Sequence, residues 1–174
     1  TKEFFIVLML LVCGDDGVFA SQNLLFFSIF FELALVPMYT LVGVWGSVRK
    51  DYAAMKLVLY LLIGSVFVLV GIIATYLYAG TSGNLTLNMI ELGTVEYDNG
   101  FQIFAYGFLA LGFGFLVKMF PFHTWSPLGY AAAPTAVSML HAGVIVKLGA
   151  YGLIRCAVSM FPGGAQFWAP VIGL

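Results

Sequence analysis

Apolar residues run along this chain in long unbroken stretches, set apart by short polar interruptions. The pattern reads as five hydrophobic segments and the start of a sixth. The first segment runs roughly from Phe4 to Ala20 and contains the tetrad Gly14-Asp15-Asp16-Gly17. The second runs from Leu24 to about Val44, and Ser21 or Asn23 can cap its start. Gly46-Ser47-Val48-Arg49-Lys50-Asp51 forms a short polar connection, and the third segment follows from Tyr52 to Ala79. A loop from Gly80 to Gly100 carries Glu91, Glu96 and Asp98. The fourth segment runs from Phe101 to about Trp125 and the fifth from Pro134 to Ser159. Residues Phe161 to Gln166 read as a turn, with a sixth segment beginning near Phe167. These runs approach or exceed the roughly 20 residues needed to cross hydrocarbon. They are continuous and do not alternate with period two, which argues against a β-barrel. The expected fold is all-α: a polytopic transmembrane helix bundle forming one domain over residues 1–174.

Composition strengthens this reading. Hydrophobic residues make up 62% of the chain and charged residues 9%, with a mean hydropathy of +1.04. The net charge of −1 comes with no basic cluster, so nothing points to nucleic acid. Cys13 and Cys156 stand alone in apolar segments, without a CxxC or a histidine at ligand spacing, and read as packing residues. The chain begins and stops inside apolar segments and shows no signal-peptide pattern, as expected of a piece of a longer subunit. Arg49 and Lys50, with Lys56 beyond them, face a next loop that holds only acids. The positive-inside rule therefore puts the Arg49 loop and the Pro121–Pro134 connection inside, and the Gly80–Gly100 loop and Phe161–Gln166 turn outside.

The fourth segment is not expected to be a simple rod. Pro121 and Pro127 remove backbone donors soon after Lys118, and Gly107, Gly112 and Gly114 loosen the helix before it. Backbone breaks at membrane depth only where protein or a wet cavity satisfies the freed groups. Lys118 falls near the C-terminal end of the first half-helix, where the negative end of the dipole favours a cation.

Glu32, Lys118 and Lys147 interrupt apolar stretches, and each costs about 2.5–3.5 kcal/mol at a bilayer centre. Such residues of both signs point to a route for charge. The plainer alternatives are a Glu32 carboxylate bonded to hydroxyls that fixes packing, and lysines that snorkel to headgroups. Glu32 is an anionic partner for one of the lysines, and Pro37 should bend its helix. His141 lies six residues before Lys147, about 120° around the helix, and is a candidate proton relay or a packing histidine. His123 sits between the two prolines and is a second candidate relay. Asp15 and Asp16 are read as marking where the first helix frays near the outer surface. Lys56 lies near the inner end of the third segment and is either functional or a solvated anchor.

Three motifs carry a family resemblance. Phe31-Glu32-Leu33-Ala34-Leu35-Val36-Pro37-Met38-Tyr39, followed by Gly43-Val44-Trp45-Gly46, resembles the glutamate helix of the antiporter-like subunits of respiratory complex I. Lys118-Met119-Phe120-Pro121-Phe122-His123-Thr124-Trp125-Ser126-Pro127 resembles their lysine-bearing broken helix. Ala133-Pro134-Thr135, then the run from Ala142 to Arg155, resembles the helix that follows and is similar to the M branch, subunit 4 in mitochondrial naming. The likeness covers about Gly17 to Leu174. It departs from the family at Ser126-Pro127-Leu128-Gly129-Tyr130, at His141 and at Asp15-Asp16.

The resemblance implies that Glu32 pairs with Lys118 and that Lys147 passes the proton along a hydrated axis. It places these segments fourth to eighth in a subunit of about fourteen helices. It implies a proton-translocating subunit of an NADH:quinone oxidoreductase in a bacterial inner membrane, or else the mitochondrial one. NADH, FMN, iron–sulfur clusters and quinone are expected on partner subunits, with no cofactor or metal on this chain. The expected partners are other membrane-arm subunits, lipid and protons. The alternatives are a subunit of a multisubunit Na⁺/H⁺ antiporter or of an energy-converting membrane hydrogenase, and, in another class, a structural scaffold.

Overall fold

The computed structural model describes residues 2–83 and 85–173. The helices are α1 (Lys2–Ala20), α2 (Leu24–Trp45), α3 (Lys50–Thr81), the single turn α4 (Met89–Leu92), α5 (Asn99–Val117) and α6 (Trp125–Ala132). A composite helix follows: α7 (Thr135–Leu140), a π-helical turn His141–Ile145, α8 (Val146–Gly152) and a second π-helical stretch Leu153–Val158. The last helix is α9 (Pro162–Ile172). Among the described residues, 4 helices are long and apolar enough to cross a membrane: α2, α3, α5 and the composite Thr135–Val158. The chain is an integral membrane helix bundle.

Local chemistry sets the ends. The side chains of Asn23, Asn88 and Asp98 accept from the N–H groups of Leu25, Ile90 and Gly100 at 2.9, 3.0 and 3.1 Å, capping α2, α4 and α5. At one end of the bundle Asn23 bridges Asn88, and the Gly163 N–H donates to Gln102 Oε1 at 2.9 Å. At the other end the Ser47 N–H donates to the Ala132 carbonyl at 2.8 Å. The connections thus fall into the same two groups that the loop charges predict. One consequence is that α1 and the composite helix run in the same direction, both towards the Asn23 end.

Small residues let the helices approach closely. A Cβ on Gly64 of α3 would lie 2.9 Å from the Gly112 carbonyl oxygen of α5, and one on Gly112 would lie 2.7 Å from the Gly64 oxygen. Gly149 of α8 sits against Leu116 in the same way. Where apolar attraction between helices is weak, such contacts carry association.

Three boundaries differ from expectation. Residues Phe161 to Gln166 are not a turn: α9 starts at Pro162, whose fixed φ suits a first helical position. The Gly80–Gly100 loop holds α4, nucleated by its Asn88 cap. The Asp15-Asp16 pair does not mark frayed backbone, because α1 continues through it to Ala20.

Candidate functional site

The broken helix builds the site around Lys118. Helix α5 ends at Val117, and Lys118 caps it in the left-handed conformation with φ 67°. That conformation costs a non-glycine residue about 1–2 kcal/mol. It turns the chain out of the helix while keeping the ammonium at the negative end of the α5 dipole. The chain then loops through Pro121 and re-enters a helix at Trp125. Trp125 is fully buried, and its indole Nε1 donates to the Phe115 carbonyl at 3.1 Å. This bond satisfies an acceptor near the end of α5 and fixes α6 against it.

Tyr130, one and a half turns into α6, receives the Lys118 side chain. Lys118 Nζ donates to the Tyr130 hydroxyl and lies 4.0 Å from the centre of its ring. The Trp125 ring stands 5.7 Å from the same ammonium. Both rings also hold His141: its imidazole centroid lies 5.1 Å from that of Trp125 and 5.0 Å from that of Tyr130. His141 is 1% exposed, and its Nε2 is buried without a partner. It opens the π-helical turn, a local widening often found at functional sites. Lys118, Tyr130, Trp125 and His141 therefore form one cluster at the break.

The other expected residues fall differently. Lys147 is exposed on this chain. Glu32 is also exposed. On α2 the inward residues are Phe31, Ala34, Leu35 and Met38, and at about 100° per residue Glu32 points well away from them. The Glu32–Lys118 pairing is thus not formed within this chain, and the Lys118 hydrogen bond goes to Tyr130. His123 lies exposed on the loop, stacked on Phe120 with ring centroids 5.9 Å apart, and does not join the cluster. Asp15, read from the sequence as lying near a surface, is 2% exposed. Lys56 is half-buried with its Nζ 5.8 Å from the Tyr60 ring, whose hydroxyl accepts from Thr124 Oγ1 at 3.0 Å.

Sequence reasoning missed Tyr130 and Trp125 as site residues. Their spacing from Lys118 has no helical meaning once the chain breaks between them. The one available signal was that residues 126–130 depart from the family pattern.

The comparisons with known proteins agree with this architecture. Residues 21–174 match the family model described as NADH:quinone oxidoreductase/Mrp antiporter, transmembrane. A curated relative, NAD(P)H-quinone oxidoreductase chain 4 2 of Microcystis aeruginosa, is 39% identical over 173 residues, covering 99% of this chain and 31% of that protein. The chain thus spans about a third of the length of the curated relatives it matches. Among solved structures, respiratory complex I from Thermus thermophilus with bound NADH superposes with a TM-score of 0.88 at 24% identity, over 97% of this chain and 35% of that one. The Mrp complex from Dietzia superposes with a TM-score of 0.79 at 22% identity, over 95% of this chain and 31% of that one. At these identities the two superpositions speak for the fold.

Proposed function

Since this chain belongs to the transmembrane family of NADH:quinone oxidoreductases and Mrp antiporters, we propose that it is part of a proton-translocating membrane-arm subunit of an NAD(P)H:quinone oxidoreductase. The observation that carries this reading is Lys118 at the broken helix, hydrogen-bonded to Tyr130 and beside buried His141. The proton route runs through Lys118, with Tyr130 and His141 as relay groups, to Lys147. Tyr130 can accept from the ammonium and donate onward, and the imidazole can take up and release a proton at one ring nitrogen. His123, exposed on the loop of the break, stands at the inner access side of this route.

Moving one charge against 100 mV takes about 2.3 kcal/mol, the scale that the interactions between the charges of the route have to supply. Glu32, facing outward, is where a charge in neighbouring protein acts on the route. Electron transfer, with its nicotinamide, flavin, iron–sulfur and quinone sites, belongs to partner subunits in a bacterial energy-converting membrane.

The test uses the full-length subunit in its native complex, as inverted vesicles energised with NADH in sodium-free buffer. A pH-sensitive dye reports acidification, with an uncoupler control. Lys118→Met should lower acidification sharply while the complex stays assembled. Equal acidification by both would remove Lys118 from the route. A pH gradient that collapses on adding Na⁺ would favour a Na⁺/H⁺ antiporter instead.

A further inference from the structure

Asp15 takes no part in the route described so far, yet it is the most deeply buried carboxyl among the described residues. It sits on α1, five residues before the helix ends at Ala20, and is 2% exposed. Both carboxyl oxygens are buried without a hydrogen-bond partner. It lines a cavity of about 10 Å³ together with Phe31, Leu61, Leu116, Ile145 and Leu148. That is close to the space one water needs. The cavity lies where the three charged helices meet: Phe31 precedes Glu32, Leu116 is two residues before Lys118, and Ile145 and Leu148 flank Lys147.

Helix register brings Asp15 level with Lys147. The rings of Phe19 on α1 and Tyr151 on α8 touch, with centroids 5.1 Å apart. Since the two helices run in the same direction, stepping back four residues on each reaches Asp15 and Lys147. Four residues is about one turn, so both stay near the faces that carry the Phe19–Tyr151 contact. Lys147 itself is exposed in this structure, and the flexible four-carbon stem of lysine lets its ammonium swing towards the cavity. The other titratable groups around Asp15 are Asp16, exposed on the same helix, Glu32, directed outward from α2, Lys118 at the end of α5 and Tyr151 on α8. From α3, Tyr60 neighbours the cavity residue Leu61, and its hydroxyl is bonded to Thr124.

We propose that Asp15 is a proton-binding carboxyl of the route, exchanging its proton with Lys147 across the cavity between α1 and α8. This rests on the reading of Lys118 and Lys147 given above. An ionised carboxylate buried without a partner is too costly to persist, so Asp15 holds its proton while Lys147 is neutral. When Lys147 takes a proton from the Lys118 side, its ammonium compensates a carboxylate, and Asp15 releases its proton towards the Ala20 end. The ammonium N–H then breaks as an Asp15 O–H forms, the electron pair staying on Nζ, and both groups are neutral again. One proton has entered from the Lys118 side and one has left.

The test uses the assembled complex in inverted native vesicles. Dicyclohexylcarbodiimide, which attacks protonated carboxyls in apolar surroundings, should label Asp15, as read by mass spectrometry of its peptide. Labelling should fall as pH rises and should persist to higher pH in Lys147→Met, where no cation favours the carboxylate. Asp15→Asn and Asp15→Leu should lower NADH-driven acidification several-fold, and Asp15→Glu should retain most of it. The inference is overturned if Asp15→Asn and Asp15→Leu pump at the wild-type rate while Lys118→Met does not, an outcome that leaves the Lys118 route standing. If Lys118→Met also pumps normally, the route itself is wrong and this inference falls with it. Should the Asp15 variants not assemble, the labelling decides: the same pH dependence in wild type and Lys147→Met overturns the exchange.

Discussion

Replacing Tyr130 with phenylalanine isolates one contact at the break. The substitution removes the hydroxyl that accepts from Lys118 Nζ and keeps the ring 4.0 Å from the ammonium. A hydrogen bond to a charged group contributes about 1.5–3 kcal/mol. The remaining cation–π attraction is worth about 0.5–2 kcal/mol and stays in place. The loaded state of Lys118 therefore loses the first contribution and keeps the second. If proton delivery passes through that state, its barrier rises by up to the lost amount, and delivery slows about ten- to hundredfold. The assay is dye-reported acidification in inverted vesicles, measured beside NADH oxidation in the same preparation. Tyr130→Phe should lower acidification by at least several-fold with the complex still assembled. Tyr130→Leu should lower it further, because the ring is lost too. If Tyr130→Phe matches wild type in rate and in protons moved per NADH, the Lys118–Tyr130 contact plays no part in transport.

Other substitutions probe packing, the relay and the loop. Gly64→Val should overpack the crossing of α3 and α5, where even one Cβ would lie 2.9 Å from the Gly112 oxygen and from the Phe115 Cβ. A cost of about 1–3 kcal/mol or more is expected, read as less assembled complex on native gels. His141→Phe keeps an aromatic ring between Trp125 and Tyr130 and removes the nitrogens, so acidification should fall while assembly holds. Equal pumping would make His141 a packing residue. Tyr97, on the loop between α4 and α5 and packed against Phe101 and Phe161, has its phenol pushed up to about 12 by burial and by nearby Tyr78, and it donates to the Leu92 carbonyl at 2.9 Å. Because its folded value lies above the ordinary 10.0, its contribution is complete below about pH 10 and is lost as pH rises towards 12. Hydrogen exchange in the α4 loop should accelerate over that window, and Tyr97→Phe should abolish the pH dependence.

The sequence made the spans legible because hydropathy reports burial from water, which a bilayer imposes along whole segments. It also exposed the break after Lys118, since prolines act on their own backbone whatever surrounds them. Orientation around each helix was harder to read. Glu32 and Asp15 both interrupt apolar runs, yet one points out of this chain and the other into its centre. Hydropathy in a membrane segment is high on all faces, so it carries little phase information. The partners of Lys118 were hidden for another reason. Tyr130 lies twelve residues on, beyond a turn whose direction is set by the left-handed backbone of Lys118 and by the Trp125 anchor on Phe115.

The outward direction of Glu32 and Lys147 has its own physical consequence. Both sit on membrane-length helices, α2 and the composite helix, and both are exposed on this chain. Facing lipid, each would cost about 2.5–3.5 kcal/mol even on the lenient scale. The faces of α2 and α8 that carry them must therefore meet protein or water in the assembled membrane. Exposed Leu33 and Val36 beside Glu32, and exposed Ile154 two turns beyond Lys147, extend apolar contact around the two charges. Asp15 and His141 are buried within this chain and Lys118 is half-buried in it, whereas Glu32 and Lys147 are exposed on it. On the proposed route, a charge in neighbouring protein would therefore reach the buried groups through the outward pair.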